Sequence, residues 1–306
     1  MIVETEASGG QGLHLLLTDS GLGGLWVCAG IERNLRLSSP CRRARLTYFN
    51  AAPQARRGYN DLPDPDSRAA LLDRALAAME IFHPDRIVLA CNTLSVLYGR
   101  TLHARHAAAR VTGIIEVGIQ LFGEALAADP AAGLVLLGTR TTIESGVHRE
   151  RLLAKGFAPA RIAEVSCRGL AAAIQSDPDG LAVERLLGEC AAAVRGLQVP
   201  GERLYAGLAC THYAFIGERI RAALEQASGL PVRLLDPNRA LADALVPPAA
   251  PDRGRAGAVP CEVAVQVVSR IPLEEAGRRA IAGRIAAVSA LTARALQSYT
   301  CDPDLF

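Results

Sequence analysis

Lysine is almost absent. Of 33 basic residues, Lys155 is the single lysine, against 32 arginines. It precedes Gly156 in "LLAKGF", which reads as a helix end with a solvated last-turn cation. A pyridoxal enzyme needs a buried lysine for its Schiff base, so pyridoxal phosphate is not expected. Metal spacing is missing too. No two of the eight cysteines lie three residues apart, so there is no CxxC and no zinc ribbon. Cys210 and His212 form a CxH pair without further ligands near it. The expectation is therefore no cofactor and no metal. No stretch approaches the ~18 uninterrupted apolar residues of a membrane span. The start, "MIVETEASGG", lacks the basic residues and apolar stretch of a signal peptide. A cytoplasmic protein with free thiols and no membrane partner is expected. Charge of one sign is lacking as well. The net charge is +2, and the cluster Arg42, Arg43, Arg45 is short and isolated. It reads as a solvated loop, and no nucleic-acid partner is expected.

Half of the 306 residues are apolar, enough for a large core and two domains. Apolar runs at 13–19, 43–50, 86–92, 110–116, 133–139, 203–210, 232–236 and 262–268 read as strands. Between them lie helical patterns such as 67–82 and 184–197. Continuously apolar strands alternating with helices are the pattern of an α/β protein with mostly parallel sheets, covered on both faces. Residues 246–260, rich in Pro, Ala and Gly, read as a mobile linker, and 273–297 as one long helix with an apolar stripe.

Ligands of such folds bind beyond the carboxyl ends of the strands. Four of those ends carry small polar or nucleophilic residues: Asp19-Ser20, Cys91-Asn92-Thr93, Thr139 to Thr142, and Cys210-Thr211-His212. Each precedes a helix start, whose free N–H groups suit carboxylates. One such end is explained by capping alone; four together are not. "DSGLGG" after the first strand is not a dinucleotide loop, because Trp26 stands where the third glycine belongs. It is not a Walker loop either, since no lysine follows it. The glycine turn is expected to let backbone N–H groups approach a small anion. "LACNT" and "LACTH" repeat a cysteine at two strand ends. Two thiols facing each other across a small ligand can take a proton from carbon on one face and return one on the other. Cys28, Cys41, Cys190, Cys261 and Cys301 have no comparable company and read as structural.

The motifs "TDSGLGGL", "ACNT", Gly138-Thr139 with Thr142 and Ser145-Gly146, and "ACTHY" resemble glutamate racemase, in the cofactor-independent aspartate/glutamate racemase superfamily. The resemblance runs from about residue 13 to about 245. It implies two flavodoxin-like three-layer α/β/α domains of pseudo-twofold symmetry with the substrate between them. The first domain is expected at 11–112 plus 224–306, and the second at 113–223. By resemblance, Cys91 and Cys210 are the acid/base thiols, Asp19 assists Cys91 and His212 assists Cys210. Ser20, Tyr59, Asn60, Asn92, Thr93, Thr139, Thr142, Gln175 and Thr211 would hold or surround the substrate, a small amino or dicarboxylic acid. A homodimer is compatible with this reading.

The match has three departures. "GYN" at 58–60 puts Asn60 where the family has a glycine. Gln175 falls where the family has a glutamate near the second cysteine. The segment after 245 is longer than the family's. Glutamine can hydrogen-bond but cannot titrate; Asp177 is the nearest carboxylate that a turned loop would offer instead. Two function classes follow. One is an amino-acid racemase making D-glutamate for peptidoglycan; the other is a racemase-like protein of altered substrate or low activity. A one-cysteine lyase or isomerase of the wider superfamily is disfavoured by the second thiol.

Overall fold

The computed structural model describes residues 12–38, 41–55, 57–197, 200–248 and 260–306. In chain order its first elements are β1 (Leu13–Asp19), α1 (Leu25–Ser38), β2 (Arg43–Asn50), α2 (Pro65–Glu80), β3 (Arg86–Leu89), α3 (Asn92–Tyr98), α4 (His103–Ala107) and β4 (Val111–Gly113). Then follow α5 (Ile114–Ala128), β5 (Ala132–Gly138), α6 (Arg140–Glu144), α7 (Val147–Ala154), β6 (Ile162–Ser166), α8 (Leu170–Ser176), α9 (Leu181–Arg195), β7 (Arg203–Ala209), α10 (Gly217–Ser228), β8 (Val232–Leu235) and α11 (Pro237–Leu245). The chain ends with β9 (Glu262–Ser269), α12 (Glu275–Ala286), α13 (Ala290–Gln297) and β10 (Thr300–Cys301).

The strands form two sheets, ordered β10-β9-β2-β1-β3-β4 and β6-β5-β7-β8, with every ladder parallel. The order β2-β1-β3-β4 in the first sheet recurs as β6-β5-β7-β8 in the second, which is the expected pseudo-twofold repeat. β1, β3, β5 and β7 are buried on both faces along nearly their whole length, as central parallel strands require. Leu15 and Leu17 face one core while Leu16 faces another, and all three are fully buried. Burying a leucine contributes about 1.5–3 kcal/mol. The same alternation divides Val135 and Leu137 from Leu134 and Leu136. The core on the Leu15 side runs continuously into the second half, so the two halves pack as one body.

Several expectations are corrected. Residues 224–235 do not join the first sheet: β8 pairs with β7, Leu204 opposite Val232, because the run after α10 completes the second four-strand repeat. The strand expected at 110–116 stops at Gly113, where α5 begins. A strand missing from the sequence reading, β6, pairs with β5; its "IAEVS" carries too few apolar residues to stand out. The helix expected at 273–297 is two helices. Ser289 breaks it by accepting the Thr292 N–H on its side chain, and a serine cap of this kind starts a helix rather than continuing one. Most of the linker expected at 246–260 lies outside the described residues.

Candidate active site

The strand order reverses between β1 and β3 in the first sheet and between β5 and β7 in the second. Loops leaving adjacent strands in opposite directions open a crevice there. The repeat puts Asp19 and Thr139 at equivalent strand ends, and Cys91 and Cys210 at the other equivalent pair. Both cysteines precede a helical turn as its N-cap residue, with no side-chain cap bond.

Each thiol is 5% exposed. Ser20 Oγ lies 3.4 Å from Cys91 Sγ. Burial and then the charge of Asp19 push the Cys91 thiol up to about 12, while hydrogen bonds from Ser20 and Leu94 partly offset this. Burial and then Cys91 itself push Cys210 well above the usual thiol range, so the two sulfurs feel each other. Asp19 is fully buried. Its Oδ1 accepts the Gly21 N–H at 3.0 Å, and its Oδ2 accepts the Thr211 hydroxyl at 2.7 Å.

His212 is 6% exposed and sits between Cys210 and Gln175. Its Nδ1 is 3.9 Å from Cys210 Sγ and its Nε2 is 3.0 Å from Gln175 Oε1. Gln175 Oε1 also accepts the Leu22 N–H at 2.8 Å, which fixes the orientation of the amide. An oxygen only accepts, so His212 Nε2 carries the proton and donates it to Gln175. Burial lowers the His212 pKa, against the pull of Asp19. The ring is neutral near pH 7 and presents a bare Nδ1 to Cys210. Gln175 is therefore part of the site, whereas Asp177 is exposed and accepts the Asp179 N–H.

The glycine turn has a different use from the one expected. Its Gly21 and Leu22 N–H groups are spent on Asp19 and Gln175 and do not wait for an anion. A Cβ on Gly23 would run into Thr211 Oγ1 and His212 Nδ1, and one on Gly21 into Gln175 Oε1. The glycines let the turn carrying Thr211 and His212 in the second half close onto the first.

Thr93 Oγ1 lies 2.9 Å from Thr139 Oγ1 and 3.4 Å from Thr142 Oγ1, joining the halves through hydroxyls. Asn92 is 2% exposed, and neither its Nδ2 nor its Oδ1 has a partner. Burying an amide unpartnered is costly, so Asn92 is left to meet a ligand. Tyr59 Oη is in the same condition; burial and, after it, the neighbouring Cys91 raise its pKa. Asn60 faces the pocket, but its Oδ1 accepts the Thr141 N–H at 3.0 Å and its carbonyl accepts from Arg140. Its amide ties the 59–61 turn to α6.

A pocket of about 360 Å³ opens above these groups, lined by Ser20, Tyr59, Asn60, Thr139, Gln175 and His212 among others. Cys91 and Cys210 do not line it; each touches a residue that does, Ser20 and His212 respectively. The sequence reading missed further lining residues: Arg57, Arg140, Cys167 and Arg168. Cys167 follows β6, so recognising that strand would have added "CRG" to the set of polar strand ends. Cys190, read as structural, lies beside Cys167, whose side chain lowers the Cys190 pKa against the effect of burial. Among the described residues, no group of three His, Cys, Asp or Glu side chains is placed to hold a metal ion. No helix there is long and apolar enough to cross a membrane.

A model of the Asp/Glu/hydantoin racemase family matches residues 27–245. The chain belongs to that family. It is thus a racemase, an isomerase that inverts a stereocentre. The match starts after Asp19 and Ser20 and takes in both cysteines. Among curated proteins, glutamate racemase of Mesorhizobium japonicum is 29% identical over 248 residues, covering 76% of this chain and 84% of that one. Glutamate racemase of Campylobacter jejuni is 30% identical over 139 residues, covering 45% and 51%. The fold agrees with solved racemases. The Francisella tularensis glutamate racemase in complex with D-glutamate superposes with a TM-score of 0.63 at 16% identity, over 96% of this chain and 98% of that one.

Proposed function

We propose that this racemase acts on a small amino acid with a second carboxylate, in the first place glutamate, supplying D-glutamate for peptidoglycan. Cys91 and Cys210 would be its two acid/base groups. The observation that carries the reading is the pair of buried thiols at equivalent ends of two equivalent sheets. One thiolate takes the α-proton, and the resulting planar carbanion receives the proton of the other thiol on its opposite face. Inversion leaves the two sulfurs with exchanged protonation, ready for the reverse reaction. Both thiols are protonated at rest, since burial raises their pKa values. The substrate ammonium, placed between them, favours a thiolate by its charge. Asp19 on the Cys91 side and His212 Nδ1 on the Cys210 side are the nearby proton acceptors. Ser20, Asn92, Thr93, Thr139, Thr142 and Thr211 offer hydroxyls and amides, which bind carboxylates without a positive charge that would pin the thiolate.

Gln175 supports a second reading, a slow enzyme or one tuned to another small amino or dicarboxylic acid. Among the described residues no carboxylate is hydrogen-bonded to the His212 ring, and only Asp19 favours its cation.

The test is incubation with each L-amino acid in deuterated water, with α-proton exchange read by NMR. Glutamate should exchange and invert in the wild type. Cys91→Ala and Cys210→Ala should each abolish inversion. Wild-type turnover in either variant would remove the two-thiol mechanism. Exchange of a different amino acid, with glutamate inert, would select the second reading.

A further inference from the structure

The segment beyond residue 245 joins the first sheet through β9, and its entry holds another pair of thiols. Cys41 Sγ and Cys261 Sγ are 3.6 Å apart. They sit at the shared start of β2 and β9, where the Glu262 N–H donates to the Arg42 carbonyl at 2.9 Å and Arg43 pairs with Glu262 in register. The backbone thus holds both cysteines side by side. Cys261 is 4% exposed, whereas Cys41 is partly open to solvent. Cys91 and Cys210, by contrast, are both buried. Thiol oxidation follows access, so Cys41 meets a soluble oxidant before the site thiols do.

We propose that Cys41 and Cys261 are a redox-active dithiol that a hydroperoxide closes to a disulfide. The Cys41 thiolate attacks one peroxide oxygen, the O–O bond breaks, and water or an alcohol leaves, giving a sulfenic acid. Cys261 then attacks that sulfur; the S–S bond forms, the S–O bond breaks and water leaves. Two thiols lose two electrons and the hydroperoxide is reduced. The bridge pins the entry of β9 to β2 across 220 positions of chain, which restricts the unfolded chain strongly. A cellular thiol reverses it by exchange.

The experiment treats the full-length protein with one equivalent of hydrogen peroxide, alkylates the remaining thiols and maps non-reduced tryptic peptides. Peptides 37–42 and 256–270 should appear linked, with the loss of two hydrogens, while peptides 87–100 and 204–219 stay alkylated. Oxidised wild type should melt at least about 2 °C above reduced protein. Cys41→Ser and Cys261→Ser should each lose both the link and the shift. Cys41 carried on to sulfinic acid with Cys261 still free would overturn the proposal. So would loss of alkylation at Cys91 before the link forms.

Discussion

Gln175 Oε1 accepts two hydrogen bonds, from Leu22 and His212, and a glutamate in its place would accept the same two. Gln175→Glu therefore changes charge at nearly constant shape. A carboxylate beside Nε2 favours the imidazolium, so the His212 pKa should rise from its lowered position. In the direction where Cys210 takes the α-proton, the acid limb of kcat/KM should move to higher pH. The Cys91 direction should move less. Missing assistance of this kind costs about 10²–10⁴-fold, and turnover of glutamate in the variant should exceed the wild type. A profile unchanged in both directions would place Gln175 outside the proton path. Asn60 invites a different measurement. Its Oδ1 holds the Thr141 N–H at the start of α6, and Asn60→Gly frees that N–H for a substrate carboxylate while widening the rim. The ratio of kcat/KM for glutamate over aspartate should change; an unaltered ratio would show that the rim does not read side-chain length.

At the scale of elements, α12 explains what the long C-terminal segment contributes to the site. Gly277 packs so closely on α8 that a Cβ there would run into the backbone of Gln175 and Ser176. From the same helix, Arg284 Nη1 donates to the Phe215 carbonyl at 2.9 Å, and its Nη2 donates to Asp179 at 2.6 Å. One helix thus buttresses both the helix carrying Gln175 and the turn carrying His212. Gly277→Ala must push two backbones apart, and overpacking of this kind costs about 1–3 kcal/mol. Urea unfolding should show that loss. In the proposed mechanism Gln175 acts through His212, so kcat should fall more than KM rises. Full stability with full kcat would mean that α8 yields freely and that α12 does not position it.

For the whole molecule, stability depends on pH through groups outside the thiol pair, among them His148 and Asp236. Burial lowers His148 to about 4, and neither of its ring nitrogens has a partner. Between about pH 6.5 and 4 the unfolded chain binds a proton that folded His148 refuses, so this group lowers stability as pH falls. Asp236 is raised to about 6 by burial. Its folded form binds a proton between about pH 6 and 4 that the unfolded chain does not, so its slope is opposite. The two partly cancel in the wild type. His148→Leu removes one of them, and its stability relative to wild type should grow by up to about 1.4 kcal/mol for each pH unit below 6.5. Denaturant titrations at pH 7 and pH 5 measure this; equal differences at the two values would show that His148 is not held neutral. 

Strand positions, the alternation of strands and helices, and the polar strand ends were legible in the residues themselves. Runs such as "LHLLLTD" are apolar on both faces, and a sequence that buries both faces of a strand has few alternatives to a covered parallel sheet. The paired cysteines and the family resemblance were legible for the same local reason. What remained hidden depended on contacts between distant segments. The residues of β6 do not announce a strand until β5 lies beside them. Nothing local to "DSGLGG" tells that its glycines make room for His212, because the ring arrives from nearly two hundred residues away. The Gln175 amide decides the His212 tautomer only once Leu22 donates to it from the other half. Cys41 and Cys261 likewise become neighbours only through the pairing of β2 with β9. Periodicity is written along the chain, but a hydrogen bond across two halves is determined only when both are folded.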